Sequence, residues 1–507
     1  MTTIKASCDR SNTFLALIFL ALLLRLAYLN LPFFEPYNSV GRQAVGAFVA
    51  RNFYQHGFNF FYPEIDNNGA GPSLFNLEMQ FNTYLAAIGY RLTGGPHEWV
   101  ARAVSVFFSI GAIGVLYFLF KRLADRATAL WATLFLAVSP LHLALSRSIQ
   151  PEETVLLATS AALAGFYFYR ETGRTRFFIL SALGLFVAIG SKLYSVYLFI
   201  PITYLVLRSS GLKGLFSWQN LLYFAFTSSA ALWWLFMWRT GQGQELAYSS
   251  YHVTVHRAGA GMTYFQTLFH PPYVKFILKI FLVHLLTPLG AVLFFAGFFQ
   301  KIKTKADEFA YVWFWSAALY FFVFLRAAIQ HPYYQAPFIP IAAFFVAKGA
   351  RRIFADKPMG RFLKKPPVAA ALIAIQIACM GYFYRGLYFI PKALHPIVDA
   401  GEMVQKKTPR EALVIASHGT SAIQLYYCNR KGWSMGLLPG ADAELIARLE
   451  KLRQKGAEYF MASSRSELEG VPGFLAYLRE RYRVLEETPD TVLFQLISVP
   501  KMSTVKP

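Results

Sequence analysis

The sequence predicts a polytopic α-helical membrane protein that carries a small α/β domain at its C-terminal end. Three observations predict it. Charged residues make up 15% of the chain and hydrophobic residues 56%, whereas a soluble domain carries roughly 25% charged residues. Apolar stretches of about 18 residues or more recur, the length that a hydrocarbon core of roughly 30 Å demands of a spanning helix. Basic residues crowd the short segments between those stretches.

Spans are predicted at about 13–30, 98–120, 127–145, 153–169, 177–191, 193–207, 220–238, 273–298, 309–325, 335–347 and 366–388, about eleven helices in all. With the N-terminus inside, Lys121 and Arg122, then Arg170, Arg174 and Arg176, then Lys301, Lys303 and Lys305, and the block from Lys348 to Lys365 all fall on one side. Cytoplasmic loops retain Lys and Arg in this way. An odd number of spans then places the C-terminal segment on the opposite, external face. The net charge of +22 is therefore a topology signal, and no groove-reading basic motif accompanies it, so nucleic acid is not an expected partner. The run from Phe14 to Leu29 is interrupted by Arg25 and lacks a small-residue cleavage site, so it reads as a retained signal anchor. Cys8, Cys379 and Cys428 build neither a disulfide framework nor a metal cluster.

The expected organisation is a transmembrane domain over 1–396, with a large first external loop at 31–97, and a soluble extracytoplasmic domain over 397–507. The first loop is rich in Phe and Tyr and holds Glu35, Glu64, Asp66 and Glu78; it reads as short helices lying in the membrane interface. A second external loop, Arg239 to about Pro272, fits a mobile lid or an ordinary connector. In the last segment, strands at Ala412–Ser417, Glu458–Ala462 and Thr491–Ile497 alternate with helices at Asp442–Gln454 and Gly473–Arg481. That alternation suggests a small α/β layer domain. It lacks GxGxxG, so no dinucleotide fingerprint is present.

Ionisable groups near membrane depth are functional candidates by default, and here they gather at the external ends of spans. Glu35 stands among aromatics in Pro32-Phe33-Phe34-Glu35-Pro36-Tyr37, where partial desolvation would raise its basicity and suit a general base. A solvated loop acid is the plain alternative. Arg42 suits a two-point clamp on phosphate, or a side chain snorkelling to the interface. Glu78 lies in an apolar-aromatic setting. In Ser146-Arg147-Ser148-Ile149-Gln150-Pro151-Glu152-Glu153, Pro151 opens a helix and places Glu152 at its positive end, which fits charge capping as well as catalysis. Lys192, a lone external lysine, calls for an anionic partner. His331, Tyr333, Tyr334 and Arg326 fit the lining of a polar headgroup site, and His331 fits an interfacial bystander equally. HExxH, P-loop and GxSxG motifs are absent. The metal expectation is left open: scattered external acids leave room for a divalent cation, and no cofactor is certain.

The order of these features resembles the membrane glycosyltransferases of the GT-C fold, in the bacterial branch related to protein O-mannosyltransferases and the lipid A aminoarabinose transferase. It consists of an acid opening a long first loop, an Arg-Gln pair (Arg42, Gln43), Ser-Arg-x-x-x-Pro-acid, a Lys after the fifth span, and Tyr333-Tyr334-x-x-Pro337-x-x-Pro340. The resemblance covers about 1–390, and the C-terminal domain matches more loosely. Where relatives often read His-Ser-Trp-Arg-Gln-Ala-Asp, this chain reads Asn38-Ser39-Val40-Gly41-Arg42-Gln43-Ala44-Val45, without the aromatic and the second acid.

The resemblance implies an inverting transfer of a hexose or pentose from a polyprenyl-phosphate-sugar donor to an envelope glycan, lipid or protein acceptor on the external face. It implies Glu35 and Glu152 as catalytic residues, Arg42 and Lys192 on the donor phosphate, and Glu78, Arg147, Glu153, His331, Tyr333 and Tyr334 around the substrates. The expected location is the bacterial inner (plasma) membrane. The alternative is a lipid or small-solute transporter or flippase, which usually shows paired halves with broken helices near the midplane. No such internal repeat is seen here.

Overall fold

The computed structural model describes residues 2–33, 40–71, 73–75, 77–240, 262–329, 331–354, 361, 365–389, 395–418 and 422–498. The apolar stretches are helical. In chain order the first helices are α1 (Thr2–Leu26), α2 (Val40–His56), α3 (Phe81–Thr93), α4 (Glu98–Leu123), α5 (Arg126–Val138), α6 (Pro140–Ser146), α7 (Glu152–Thr172) and α8 (Thr175–Ser191). A 3-10 turn over Leu193–Leu198 leads into α9 (Phe199–Leu215), followed by α10 (Trp218–Ser229) and α11 (Ala231–Thr240). Then come α12 (Tyr264–Phe269), α13 (Pro271–Lys279), α14 (Thr287–Phe298), α15 (Lys305–Val323), α16 (Leu325–Ala328), α17 (Phe338–Ile353) and α18 (Pro366–Tyr388).

By length and composition, Glu98–Leu123, Leu193–Leu215 and Trp218–Thr240 are each able to cross a membrane. Two further stretches pass only as bent pairs. The α5–α6 pair turns by 63°, and Pro271–Leu285 turns by 94° into α14. The sequence explains both bends. Pro140 follows an extended Ser139, and Pro288 follows Thr287, which sits at φ +65°. Proline removes a helical N–H and disfavours helical backbone before it. Asn12–Leu26 and Thr175–Ser191 are shorter apolar helices.

Helices in a bilayer gain little from hydrophobic contact with one another, so close packing at small residues holds them together. A Cβ added at Gly165 of α7 would stand 2.8 Å from the Phe177 carbonyl of α8, and one at Gly184 would stand 2.8 Å from the Ala158 carbonyl. At the α14–α17 crossing the fit is tighter. A Cβ at Gly349 would collide with the Leu293 carbonyl, and one at Gly297 with the Phe345 carbonyl. Because backbone cannot yield as a flexible side chain does, Gly349→Val is expected to cost at least the ~1–3 kcal/mol of core overpacking. Fluorescence-detected size exclusion after a heat step checks this; an unchanged midpoint contradicts the crossing.

Helix α19 (His395–Lys407) leads into the α/β unit, which adds α20 (Ile423–Cys428), α21 (Asp442–Gln454), α22 (Arg465–Glu469) and α23 (Pro472–Arg481). Its strands are β1 (Val414–Ser417), β2 (Gly432–Ser434), β3 (Tyr459–Ala462), β4 (Tyr482–Glu487) and β5 (Val492–Ser498). They form one sheet in the order β2-β1-β3-β5-β4. The β1–β2 and β1–β3 pairs are parallel, and β5 is antiparallel to β3 and β4. One face, with Ile415, Phe460 and Phe494, packs on Leu449 of α21 and Leu478 of α23. The other, with Val414, Ala416 and Met461, joins a core that includes Ala47 and Phe48 of α2 and Tyr90 of α3. The unit therefore does not stand alone: it shares its interior with the segment between α1 and α4. Main-chain bonds reinforce the seam, Gly69 N–H to Gly432 O at 2.8 Å and Gly432 N–H to Asp66 O at 3.0 Å. Arg51 ties both sides, at 2.6 Å from Asp66 and donating at 2.9 Å to the Tyr426 carbonyl.

Candidate active site

The site is assembled where α2, the segment before α3, the start of α7 and the end of α8 meet. Helix α4 supplies the anchor. Ser105 donates at 2.6 Å to the Ser148 carbonyl, and Arg102 Nε donates at 2.9 Å to the Arg147 carbonyl. These bonds hold the strand of chain that enters α7, whose first residue is Glu152 after Pro151 at the cap. The first turn of α2 docks on the same segment, since the Gln43 side chain accepts from the Ile149 N–H at 3.2 Å. Arg42, Glu78, Ile149 and Pro151 thereby line one small cavity.

Glu78 is fixed from the other side. Met79 N–H donates to the Gly190 carbonyl at 3.0 Å, and Trp233 Nε1 donates to the Leu77 carbonyl at 2.9 Å. Gly190 is the residue that allows this approach, because a Cβ there would run into the Met79 thioether. The contact places Glu78 beside the end of α8, two residues before Lys192. Arg42 ion-pairs with Glu78. Lys192 Nζ lies 3.2 Å from Glu152 Oε1 and 5.4 Å from the centre of the Tyr333 ring. His331 stacks on Tyr333 with centroids 5.0 Å apart, and Tyr334 lies 4.9 Å beyond it.

His331 connects the two ion pairs. Burial first, then the nearby positive charges of Lys192 and Arg42, push its pKa down to about 4 against the opposing pull of Glu152. Lys192, Arg42 and Glu152 thus all act on His331. The sign of the pH effect follows. An unfolded imidazole takes a proton near pH 6.5, while the folded chain holds His331 neutral down to about 4. The stability contributed by the neutral ring is complete above about pH 6.5 and is lost as pH falls from there towards 4. The melting temperature is expected to fall further between about pH 7 and 4.5 in the wild type than in His331→Phe. Parallel curves in a thermal-shift titration contradict this.

Glu152 is 1% exposed. Lys192 approaches it without hydrogen-bond geometry, and both carboxylate oxygens lack a hydrogen-bond partner among the described residues, as do the hydroxyls of Ser191, Tyr194 and Ser195. Buried polar atoms are ordinarily bonded to protein or ordered water. A group of them beside two cations is suited to a polar, anionic ligand. The hydroxyls were missed in the sequence because they lie inside what reads as a spanning run. Arg102 was missed in the same way, and an arginine within an apolar span was the available signal.

Other expected residues fall elsewhere. Glu35 lies outside the described residues, although the chain leading to it is held: Arg102 donates to the Leu29 and Pro32 carbonyls at 2.7 and 2.8 Å, and the Tyr427 hydroxyl accepts from Phe33 N–H at 2.8 Å. Arg147, expected at the substrate, is turned to the end of α1. It donates to the Arg25 carbonyl at 2.7 Å and the Leu387 carbonyl at 3.1 Å, with its guanidinium over the Tyr388 ring. The placement has a simple cause: the last carbonyls of a helix have no partner within it and need donors. Glu153, also expected at the substrate, lies 3.2 Å from His142 Nε2 in a separate buried cluster with Ser109 and Arg25. Successive helical residues diverge by about 100°, so Glu152 and Glu153 serve different neighbours. Among the described residues no group of three or more His, Cys, Asp or Glu is placed to hold a metal ion.

The fold is that of a polytopic membrane glycosyltransferase of the GT-C type. Residues 81–246 match the family model of dolichyl-phosphate-mannose-protein mannosyltransferases. No curated protein sequence matches the chain. The chain is similar in structure to ArnT from Cupriavidus metallidurans in the apo state, with a TM-score of 0.62 and 15% identity, over 97% of this chain and 98% of that one. The same protein bound to undecaprenyl phosphate gives 0.60 at 14% identity, again over 97% and 98%. The archaeal oligosaccharyltransferase AglB from Archaeoglobus fulgidus, in complex with an inhibitory peptide and a dolichol-phosphate, gives 0.59 at 13% identity over 95% of this chain and 74% of that one. At such identities the shared property is the fold.

Proposed function

We propose that this chain moves a single sugar, a hexose or pentose, from a polyprenyl-phosphate donor to a hydroxyl of an envelope glycan, lipid or protein. Its place is the bacterial plasma membrane, with the N-terminus cytoplasmic and residues 397–507 as an extracytoplasmic domain. The observation that carries the reading is the convergence of Lys192 with Glu152 and of Arg42 with Glu78 around His331, within a fold also found in a protein bound to undecaprenyl phosphate.

In the proposed reaction the acceptor oxygen attacks the anomeric carbon while Glu35 takes its proton. The bond from that carbon to the phosphate oxygen breaks, and the polyprenyl phosphate leaves with the electron pair. Attack from the face opposite the leaving group inverts the centre. Arg42 and Lys192 meet the charge that develops on the phosphate, a preorganised cationic environment being a large source of rate. Glu152 holds Lys192 in place, Glu78 holds Arg42, and the His331–Tyr333–Tyr334 stack offers a face to the sugar. A phosphate leaving group requires little acid assistance, so one base suffices.

The test is transfer in proteoliposomes from radiolabelled polyprenyl-phosphate hexoses and pentoses to envelope lipid, glycan and protein fractions. A labelled acceptor of inverted configuration is expected. Movement of the intact donor across the bilayer without transfer would instead make the chain a transporter.

A further inference from the structure

A second binding feature lies at the other end of α7. Glu152 opens that helix and Glu171 stands in its last turn; at 1.5 Å per residue they are about 29 Å apart, close to the thickness of the hydrocarbon core. Helix α7 stops at Gly173, which takes a left-handed conformation at φ 68°, and Arg174 precedes α8. Between α4, α7 and α8 this end holds a groove of about 620 Å³. Its walls are apolar: Val115 and Phe118 from α4, Ala164 and Phe168 from α7, Phe177 and Leu180 from α8. Small Ala164 leaves the groove deep, and the backbone contact at Gly165 fixes the α7–α8 spacing. Phe118 and Leu180 are 56% and 45% exposed, as suits side chains that meet acyl chains.

The rim is charged. Lys121, Arg122, Glu171 and Arg174 stand around the mouth. Arg122 Nε lies 2.7 Å from Glu171 Oε2, which takes up that carboxylate. Among the described residues neither Lys121 nor Arg174 ion-pairs with a carboxylate, so the mouth keeps two uncompensated positive charges. Apolar walls beneath a cationic rim at headgroup depth form an amphipathic site, and basic pockets between spanning helices bind acidic lipid headgroups.

We infer that this groove binds one anionic phospholipid of the leaflet opposite the candidate active site, its phosphate between Lys121 and Arg174 and an acyl chain along Phe118, Phe168 and Leu180. A zwitterionic lipid fills the walls equally but gains nothing net from the rim. The inference uses only the membrane fold, so it stands or falls separately from the transfer reaction.

The test is native mass spectrometry of the full-length chain in detergent, titrated with phosphatidylglycerol or phosphatidylcholine. One phosphatidylglycerol is expected to be retained in preference to phosphatidylcholine. Lys121→Gln/Arg174→Gln is expected to weaken its binding by about tenfold to thirtyfold, as the loss of two headgroup-level cations implies. The charge-matched control Lys213→Gln/Lys301→Gln should stay within about twofold. Val115→Trp, which fills the groove and leaves the rim intact, should also abolish retention. Equal binding of the two lipids, or wild-type binding in the rim variant, would overturn the inference; the rim variant keeps the test decisive even if Val115→Trp does not fold.

Discussion

Lys192→Met is expected to reduce sugar transfer by about 10²–10³-fold, the usual cost of removing one preorganised group that stabilises transition-state charge. It should also reduce stability, for a different reason. Glu152 is 1% exposed and Lys192 9%, and stripping a buried ion pair of one member costs about 3–5 kcal/mol because the other charge stays buried and uncompensated. The two effects are separable. In Lys192→Met/Glu152→Gln both charges are gone, so the melting temperature should return most of the way while transfer stays low. A double-mutant cycle on thermal stability and on turnover measures this. If the double variant regains transfer along with stability, Lys192 is structural and the phosphate has another partner.

Glu35→Gln is the second large effect. The substitution keeps shape and removes the proton acceptor, and loss of a positioned base typically costs about 10²–10⁴-fold in rate. Donor binding should be unaffected, because the cations proposed to hold the phosphate are Arg42 and Lys192. The signature is a fall in kcat with little change in KM for the donor, together with loss of the acidic limb of the pH–rate profile. Full turnover in Glu35→Gln would remove the base assignment and leave Glu152 to be tested in its place.

Much of the helical fold was legible because long apolar runs leave few alternatives to a helix, although among the described residues only three helices, or five if each bent pair is one span, have the length and composition to cross a membrane. The start of α7 was readable from Pro151, and Asp442–Gln454 from its amphipathic pattern. Two strands of the sheet were not. Gly432–Ser434 is three residues long and opens on glycine, and Tyr482–Glu487 carries Arg483, Glu486 and Glu487; neither shows the alternation that marks a strand. The pairing of the charged residues was not legible. Which acid meets Arg42 or Lys192 depends on how the Met79–Gly190 contact brings distant segments together, and no local pattern encodes that. The partners of Arg147 were equally unreadable. Its motif drew attention, whereas its donors are committed to the end of α1 and to Leu387.

The proposed transfer reaction requires that the four charged groups at the head of α7 form a seat for a lipid-borne phosphate. Binding of a sugar-free polyprenyl phosphate to the purified protein, followed by tryptophan fluorescence or native mass spectrometry, addresses that without knowledge of the sugar or the acceptor. Saturable binding is predicted, weakened about tenfold or more by Arg42→Ala and by Lys192→Met/Glu152→Gln, and retained in Glu35→Gln. Absence of saturable binding, or equal affinity in all four proteins, would contradict the account.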